Sequence, residues 1–542
     1  MKLRSMMALL LALLLVMSSC VAFAEDAVDP YGKYPEKVTI TFAKKSSPKP
    51  NLLEGDTADN NPMTRYITDK INVDFKLLWE EVEDDFANKL ALNIQDLPDM
   101  FTLSANDYLM FKHLLDNDML EPLDEVYEKY ASDTVKMRFS GYEGRNFEPF
   151  RGEDGHLYGL GGARYGYEHN QLWARTDWLE AAGLEMPQTI EEIENVLQYF
   201  KDNPPSENYV GMILNATSIG GVYDAMSASP LFAAFHAYPN MWVLDENGKA
   251  VWGSVQPQVK EGLAILADWY QKGLIDPEFP TRIAAGSNEA LISGSATGLF
   301  FFPWYLGFSC PDFNDLNPDA TLDNTNAPLD SDGKFNIAFP GATDCVLCVR
   351  KGYEHPEAII KAYNCEVDAW RGYDAEGAAL LQPTRDNGCD WEYLVPTTHF
   401  NGVPVDEVPR CGLVAHAIVN GEDYEQYHAE QITITWGQQA KEFVEKGNDA
   451  APGCWQAYIA RYVGADPELM YADNLEGVYP AFSFVTEGMA DLKPNLDALE
   501  QTTFLKIVTG ELPVDAFDQF VTDWYAQGGQ MMTDEVNAEI AR

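Results

Sequence analysis

The residues able to do chemistry are plentiful in this chain, but few stand in a recognisable pattern. Cys345-Val-Leu-Cys348 has the spacing of a redox or zinc pair. It lies in an apolar, strand-like run, Cys345 to Val349, and no second C-x-x-C exists, so structural cysteines are the expectation. There is no G-x-x-x-x-G-K-S/T, no H-E-x-x-H and no G-x-S-x-G. Gly159-Leu-Gly161-Gly162 approaches a dinucleotide loop, but Arg164 stands where the third glycine belongs. The eight histidines (113, 156, 169, 236, 355, 399, 416 and 428) include no two at a metal-ligand spacing of three to five. Two acidic loops, Asp245-Glu-Asn247-Gly248 and Asp330-Ser-Asp332-Gly333, carry oxygen ligands around a turn. Neither completes a twelve-residue calcium loop ending in a bidentate Glu, and turn chemistry accounts for both. With 85 acidic side chains, a glycosidase-like carboxylate pair can be drawn anywhere, so no particular pair counts as a signal. The expectation is a protein without catalytic residues, cofactor or metal.

Composition narrows the class further. The 542 residues exceed one ordinary core, so two or more lobes are expected. A hydrophobic fraction of 46%, with 12 Trp, 27 Tyr and 27 Phe, excludes a disordered chain. The 37 basic residues against 85 acidic ones give a net charge of -48, which disfavours nucleic acid and anionic membrane surfaces as partners. The first 24 residues read as an export signal: Lys2 and Arg4 precede eleven unbroken apolar residues, Met7 to Met17. Two processing sites stand side by side. Ala22-Phe23-Ala24 fits ordinary signal peptidase, whereas Met17-Ser18-Ser19-Cys20 fits a lipobox that would leave Cys20 lipidated. The mature protein is then either lipid-anchored at the extracellular face of the cell membrane, with Cys20 as its one membrane contact, or secreted or periplasmic. No later apolar run reaches the roughly 18 residues of a membrane span.

Strands and helices alternate behind the signal. Val38, Ile40 and Phe42 have the period of a strand, and Asn61-Pro62 opens a helix with a cap and a proline at its first position. Val73 to Trp79 alternates again, Phe86, Leu90 and Ile94 share a helical face, and Leu97 to Leu103 returns to strand. This βαβαβ order predicts a parallel sheet flanked by helices. A second unit starts with a strand at Leu172 to Arg175, a cap at Thr176-Asp177 and a helix stop at Gly183. Thr189-Ile-Glu-Glu192 is a capping box, Val259 to Tyr270 is an amphipathic helix closed by Gly273, and Trp242 to Trp252 is a hairpin turning at Asn247-Gly248.

Several stretches resemble the extracellular solute-binding proteins (family 1 type) of bacterial carbohydrate ABC importers, in particular the large oligosaccharide-binding and lipoprotein branch. Gly159 to Leu184 followed by Pro187-Gln-Thr-Ile-Glu-Glu192 is similar to that family's strand, Arg-x-Asp-Trp-Leu, Gly-Leu turn and Pro-x-Thr. Gly273-Leu-Ile-Asp-Pro277, His355-Pro-Glu-Ala358 and Thr509-Gly-Glu511 resemble three further signatures in the family's order. The resemblance implies an α/β protein with two lobes (type II), each a parallel sheet flanked by helices, with the ligand cleft between them. The implied division is residues 36–162 plus 342–475 for lobe 1, and 163–341 plus 476–542 for lobe 2. The chain would cross between lobes near Gly161 to Tyr167, Phe339 to Gly341 and Tyr479 to Phe484. It would act as a monomer, capturing a carbohydrate and delivering it to the importer's permease subunits.

A sugar presents flat C–H faces and a rim of hydroxyls, so its site needs aromatic platforms and polar groups, and in α/β sheets these sit in loops after strands. Candidates after the first strand are Ser46 and Ser47, beside Lys44 and Lys45; after the third they are Thr102, Ser104, Asn106 and Asp107. Arg164, Tyr165 and Tyr167 stand at the first crossing, Trp304 and Tyr305 follow the strand Gly298 to Phe302, and Phe482 lies at the third crossing. The resemblance matches Trp304 to a tryptophan on which relatives stack a sugar ring. Ser104 and Asp107 serve equally well as caps of the next helix. The acidic balance leans toward a neutral oligosaccharide, with Arg164 and the Lys44-Lys45 pair as the local argument for an anionic one. The alternatives are the same fold binding a peptide or another solute, and a secreted glycoside-acting enzyme.

Overall fold

The computed structural model describes residues 28–541, apart from Tyr223, 283–284, 398–399, Asn401 and 471–473. The export segment, with Cys20 and both processing sites, lies outside the described residues. Local sequence sets the first elements as expected. The side-chain oxygen of Asn61 accepts from the backbone N–H groups of Met63 and Thr64 at 2.9 and 3.2 Å, which starts the helix Pro62–Ile71. That helix ends where Asn72 turns left-handed at φ 60°. The capping box of Thr189 and Glu192 opens the helix Ile190–Asp202. Asp177 departs from expectation: it grips Arg175 at 2.6 and 2.8 Å rather than capping the helix Thr176–Ala182.

In chain order the strands of the first part are β1 (Val38–Lys45), β2 (Val73–Glu81), β3 (Met100–Ser104), β4 (Leu160–Gly161) and β5 (Gln171–Arg175). β6 (Trp242–Leu244) and β7 (Ala250–Trp252) form the hairpin. β8 (Leu299–Phe302), β9 (Leu322–Thr325), β10 (Phe335–Ala338), β11 (Cys345–Val349) and β12 (Leu475–Val478) follow. The first sheet runs β2-β1-β3-β11-β4, with β1 parallel to β2 and β3. β11 enters antiparallel between β3 and β4.

The α/β class and the division into two bodies are as expected, but neither sheet is wholly parallel: β11 departs in the first body, and the strand directions depart further in the second. There β5 pairs antiparallel with both β8 and β9. Period-two alternation tells which face of a strand is buried and says nothing of its direction, which the connections decide.

Two separate cores hold the molecule. The first gathers Ile40, Phe42, Phe101, Leu103, Val346 and Ile359 with their neighbours between residues 38 and 163 and between 345 and 400, and Phe484 joins it. The second gathers Leu172, Phe232, Leu263, Trp269 and Phe301, joined by Phe504, Phe520 and Trp524 from the C-terminal helices. Burying each of these large side chains stabilises the fold by roughly 2 kcal/mol. All seven cysteines after Cys20 are unpaired, and all but Cys389 are buried, as structural cysteines should be.

A helical arm, built from the helices Glu407–Asn420, Gln431–Lys446, Cys454–Ala457 and Tyr458–Val463, spans both bodies. Arg138, in the first body, hydrogen-bonds Glu430, which also faces Arg371 at 3.2 Å, and all three are largely buried. Farther along, Trp455, Ile459 and Val463 pack against Trp173, Phe300 and Phe302 of the second sheet.

The segments joining the two cores converge in one aromatic knot. Tyr167 meets Phe339 edge-on at 5.6 Å, and Phe339 stacks on Tyr479 at 4.5 Å. The parallel pair β10 and β12 feeds two of these segments, and the Phe339 N–H donates to the Val478 carbonyl at 2.9 Å. Gly477 permits the crossing: a Cβ there would lie 1.8 Å from the Phe339 ring.

Candidate functional site

A cavity of about 610 Å³ opens between the two cores, in front of this knot. The first body contributes Lys45 at the end of β1, Ser104 to Asn106 at the end of β3, and Glu83. The second body contributes Trp242 and Trp252 of the hairpin with Met489 and Lys493 of the helix Glu487–Val508. The three joining segments supply Arg164, then Gly341, Thr343 and Asp344, then Phe482 to Val485. The lining comes from carboxyl ends of strands and from crossings, where an α/β sheet presents loops without helical cover.

The cations of this cavity are all engaged. Lys45 pairs with Glu83 at 2.7 Å, and Lys493 pairs with Asp497 at 2.7 Å while lying 5.3 Å from the Trp252 ring. Arg164 has carboxylates on two sides, Asp344 at 3.6 Å and Glu168 at 3.7 Å. Burial pushes the Glu168 carboxyl up, and Arg164 offsets only part of that rise. At 3.6 to 3.7 Å these are charge contacts rather than hydrogen bonds, so the guanidinium N–H groups remain available to a ligand. Asp344 Oδ1 is buried without a hydrogen-bond partner in the protein. Together the walls present donors, acceptors and apolar surface from Trp242, Phe482 and Met489, which is the chemistry of a polyhydroxylated ligand.

Of the residues singled out in the sequence, Ser104, Asn106, Arg164 and Phe482 border the cavity. Ser104 shares its role, because its hydroxyl donates to Asp107 at 2.7 Å while Asp107 accepts the Ser104 N–H at 3.1 Å. Asp107 is thus occupied in the cap. Thr102 is buried and donates to the Thr397 carbonyl at 2.6 Å. The Ser46 N–H bonds Glu81, and the Ser47 hydroxyl accepts from the Lys49 N–H. Lys44 turns inward to the Tyr393 and Val395 carbonyls, and burial pushes its ammonium down to about 7.

Tyr165, Trp304 and Tyr305 form a separate aromatic shelf. Trp304 is 6% exposed, with Arg461 stacked 4.0 Å from its ring and the Tyr165 and Tyr305 rings at 6.3 and 5.4 Å. Trp436 sandwiches the same guanidinium from its other face at 4.0 Å. Tyr167 belongs to the aromatic knot. The sequence reading missed Trp242, Trp252, Thr343 and Asp344. The Asn-Gly turn between the two tryptophans was visible, but nothing local indicated which wall they face.

The two acidic loops are turns. Asp245 Oδ1 accepts from the N–H groups of Asn247 and Lys249, and Asp330 Oδ1 from those of Asp332 and Lys334. Among the described residues, no group of three or more His, Cys, Asp or Glu is placed to hold a metal ion. No described helix is long and apolar enough to cross a membrane.

No family model matches the chain. The structure is similar over 93% of its length to the ABC-transporter substrate-binding protein FusA of Streptococcus pneumoniae in complex with kestose, covering 99% of that chain with a TM-score of 0.53 at 16% identity. The fold is that of the ABC-transporter substrate-binding proteins. The same substrate-binding-protein fold appears in the alginate-binding protein AlgQ2, with a TM-score of 0.57 at 15% identity over 95% of this chain and 100% of that one. In sequence, the chain is 26% identical over 257 residues to the fructooligosaccharide ABC transporter substrate-binding protein FusA of S. pneumoniae serotype 4. That alignment spans 45% of this chain and 46% of FusA, so the chain matches about half the length of this curated relative. The lipoprotein LipO of Bacillus subtilis is 28% identical over 129 residues, 22% of this chain and 24% of LipO.

Proposed function

We propose that this protein is the substrate-binding component of an ABC importer, which captures an extracellular carbohydrate in the interlobe cavity and hands it to membrane permease subunits. The observation that carries the reading is the cavity itself: it lies between two cores, is crossed by all three joining segments, and mixes donors, acceptors and aromatic surface. A ligand bridging the walls would draw the bodies together about the aromatic knot, a hinge motion. Lobe boundaries near residues 163, 341 and 475 are part of this proposal, as are a monomeric state and export. Met17 to Cys20 supports lipid anchoring at Cys20 and Ala22 to Ala24 supports cleavage after Ala24 equally, and the intact mass of the exported protein's N-terminus distinguishes the two.

A thermal-shift screen against oligosaccharides tests the reading. Ligand at a hundred times Kd stabilises the native state by about 2.7 kcal/mol, enough to move the melting point visibly. At least one oligosaccharide is expected to do so. Stabilisation by peptides alone would overturn the carbohydrate assignment.

A further inference from the structure

The fold leaves the charge of the ligand open, since it is shared by proteins whose names give fructooligosaccharide and alginate. The cavity wall does not. We infer that Asp344 and Glu168, by flanking Arg164, make the cleft select uncharged sugars and reject uronates. This inference rests on the carbohydrate reading above and goes beyond it in naming the ligand's charge class and the residues that set it.

Three observations carry it. First, each cation at the cavity already faces a carboxylate: Lys45 has Glu83, Lys493 has Asp497, and Arg164 has both Asp344 and Glu168. Those three cations meet four carboxylates, so a carboxylate ligand finds no uncompensated positive charge. Binding one would require an existing pair to be broken, or like charges to be held together in a confined space. Second, Arg164 stands at 3.6 and 3.7 Å from its two carboxylates, beyond hydrogen-bond reach, and keeps N–H groups to donate. Third, the Asp344 side chain is 44% exposed at the cavity, and Oδ2 is its oxygen nearest Arg164 Nε. A group that serves both must accept from the guanidinium and donate to the carboxylate at once. A sugar hydroxyl does both, whereas a carboxylate only accepts. Arg164 read from the sequence alone favours an anionic ligand; its two neighbours reverse that meaning.

The test pairs neutral and charged sugars of equal length. Calorimetric titration of the wild-type protein with neutral trisaccharides (kestose, maltotriose, cellotriose) and with trigalacturonate is expected to give binding to at least one neutral sugar and none to trigalacturonate. In the Glu168→Gln, Asp344→Asn double variant the preference for the neutral sugar should shrink by at least about tenfold. Wild-type binding of trigalacturonate as tight as that of the best neutral trisaccharide would overturn the inference while leaving the carbohydrate reading intact. An unchanged preference in the folded double variant would do the same. If no sugar of either kind binds, the carbohydrate reading falls and the inference falls with it. Should the double variant fail to fold, the wild-type titrations still decide the question.

Discussion

The segment Pro480 to Phe484 has two unlike faces. In front of it lies the interlobe cavity, where Arg164 stands 3.6 and 3.7 Å from Asp344 and Glu168. Behind it lies a second hollow of about 440 Å³, bordered by Tyr108, Arg145 and Glu539. There close contacts tie the two bodies. Tyr108 stacks on Phe484 at 4.6 Å, and Lys112 of the first body donates to both oxygens of Glu539 of the second, at 2.7 and 2.9 Å. A cavity open in front and an ion-paired seam behind suit the proposed closure on a ligand at one side.

The contrast is broken most severely at Phe484, which is 7% exposed and joins the first core. Phe484→Ala should cost about 3 kcal/mol in urea unfolding, by lost burial and the cavity left behind. Asn106→Ala, at the front, should change stability by less than about 0.5 kcal/mol and act on ligand affinity instead. Equal stability losses at the two positions would erase the distinction between the faces.

The next effect depends on pH. Glu500 is buried beneath the cavity wall, accepts from Trp252 Nε1 and the Ser254 hydroxyl, and burial pushes its carboxyl up to about 7. The folded protein therefore holds a proton that the unfolded chain releases near pH 4.5. This group's contribution to stability falls as pH rises from about 4.5 to 7, by roughly 1 kcal/mol per pH unit. Glu500→Gln, which keeps an acceptor for Trp252, should flatten that decline. Chemical denaturation at pH 5 and pH 7.5 checks it, and a variant with the wild-type slope would rule Glu500 out as its source.

The smallest effect lies behind the hinge. The Lys112–Glu539 pair is about one-fifth exposed on both sides and ties the bodies where a closing cleft must open. Lys112→Met should tighten ligand binding by about threefold, because the closed form no longer breaks the pair. Raising salt should tighten the wild type in the same direction and leave the variant unmoved. Weaker binding by the variant would mean that the pair survives closure.

Much of the frame was readable from local chemistry, because caps and alternation act within a few residues. Asn61-Pro62, Thr189 to Glu192 and Gly183 all behave as their sequence predicts. The βαβαβ opening was legible for the same reason. Strand direction around β5 was not, since alternation is blind to it. The site divides likewise. Ser104, Asn106, Arg164 and Phe482 border the cavity because loops after strands and crossings face a cleft by topology. Trp304 follows a strand as a platform should, yet its ring is covered by Arg461, which sits far away in sequence on the helical arm. Asp344, which borders the cavity, carries no local signature. Its meaning comes from Arg164 and Glu168 beside it in space.

The most direct test of a ligand held between the bodies is hydrogen–deuterium exchange with and without an oligosaccharide that raises the melting point. The account predicts added protection in 104–106, 164–168, 343–345 and 482–485 together, drawn from both bodies and the crossings. Protection confined to one body, or appearing only at the remote hollow between Met137 and His428, would contradict it.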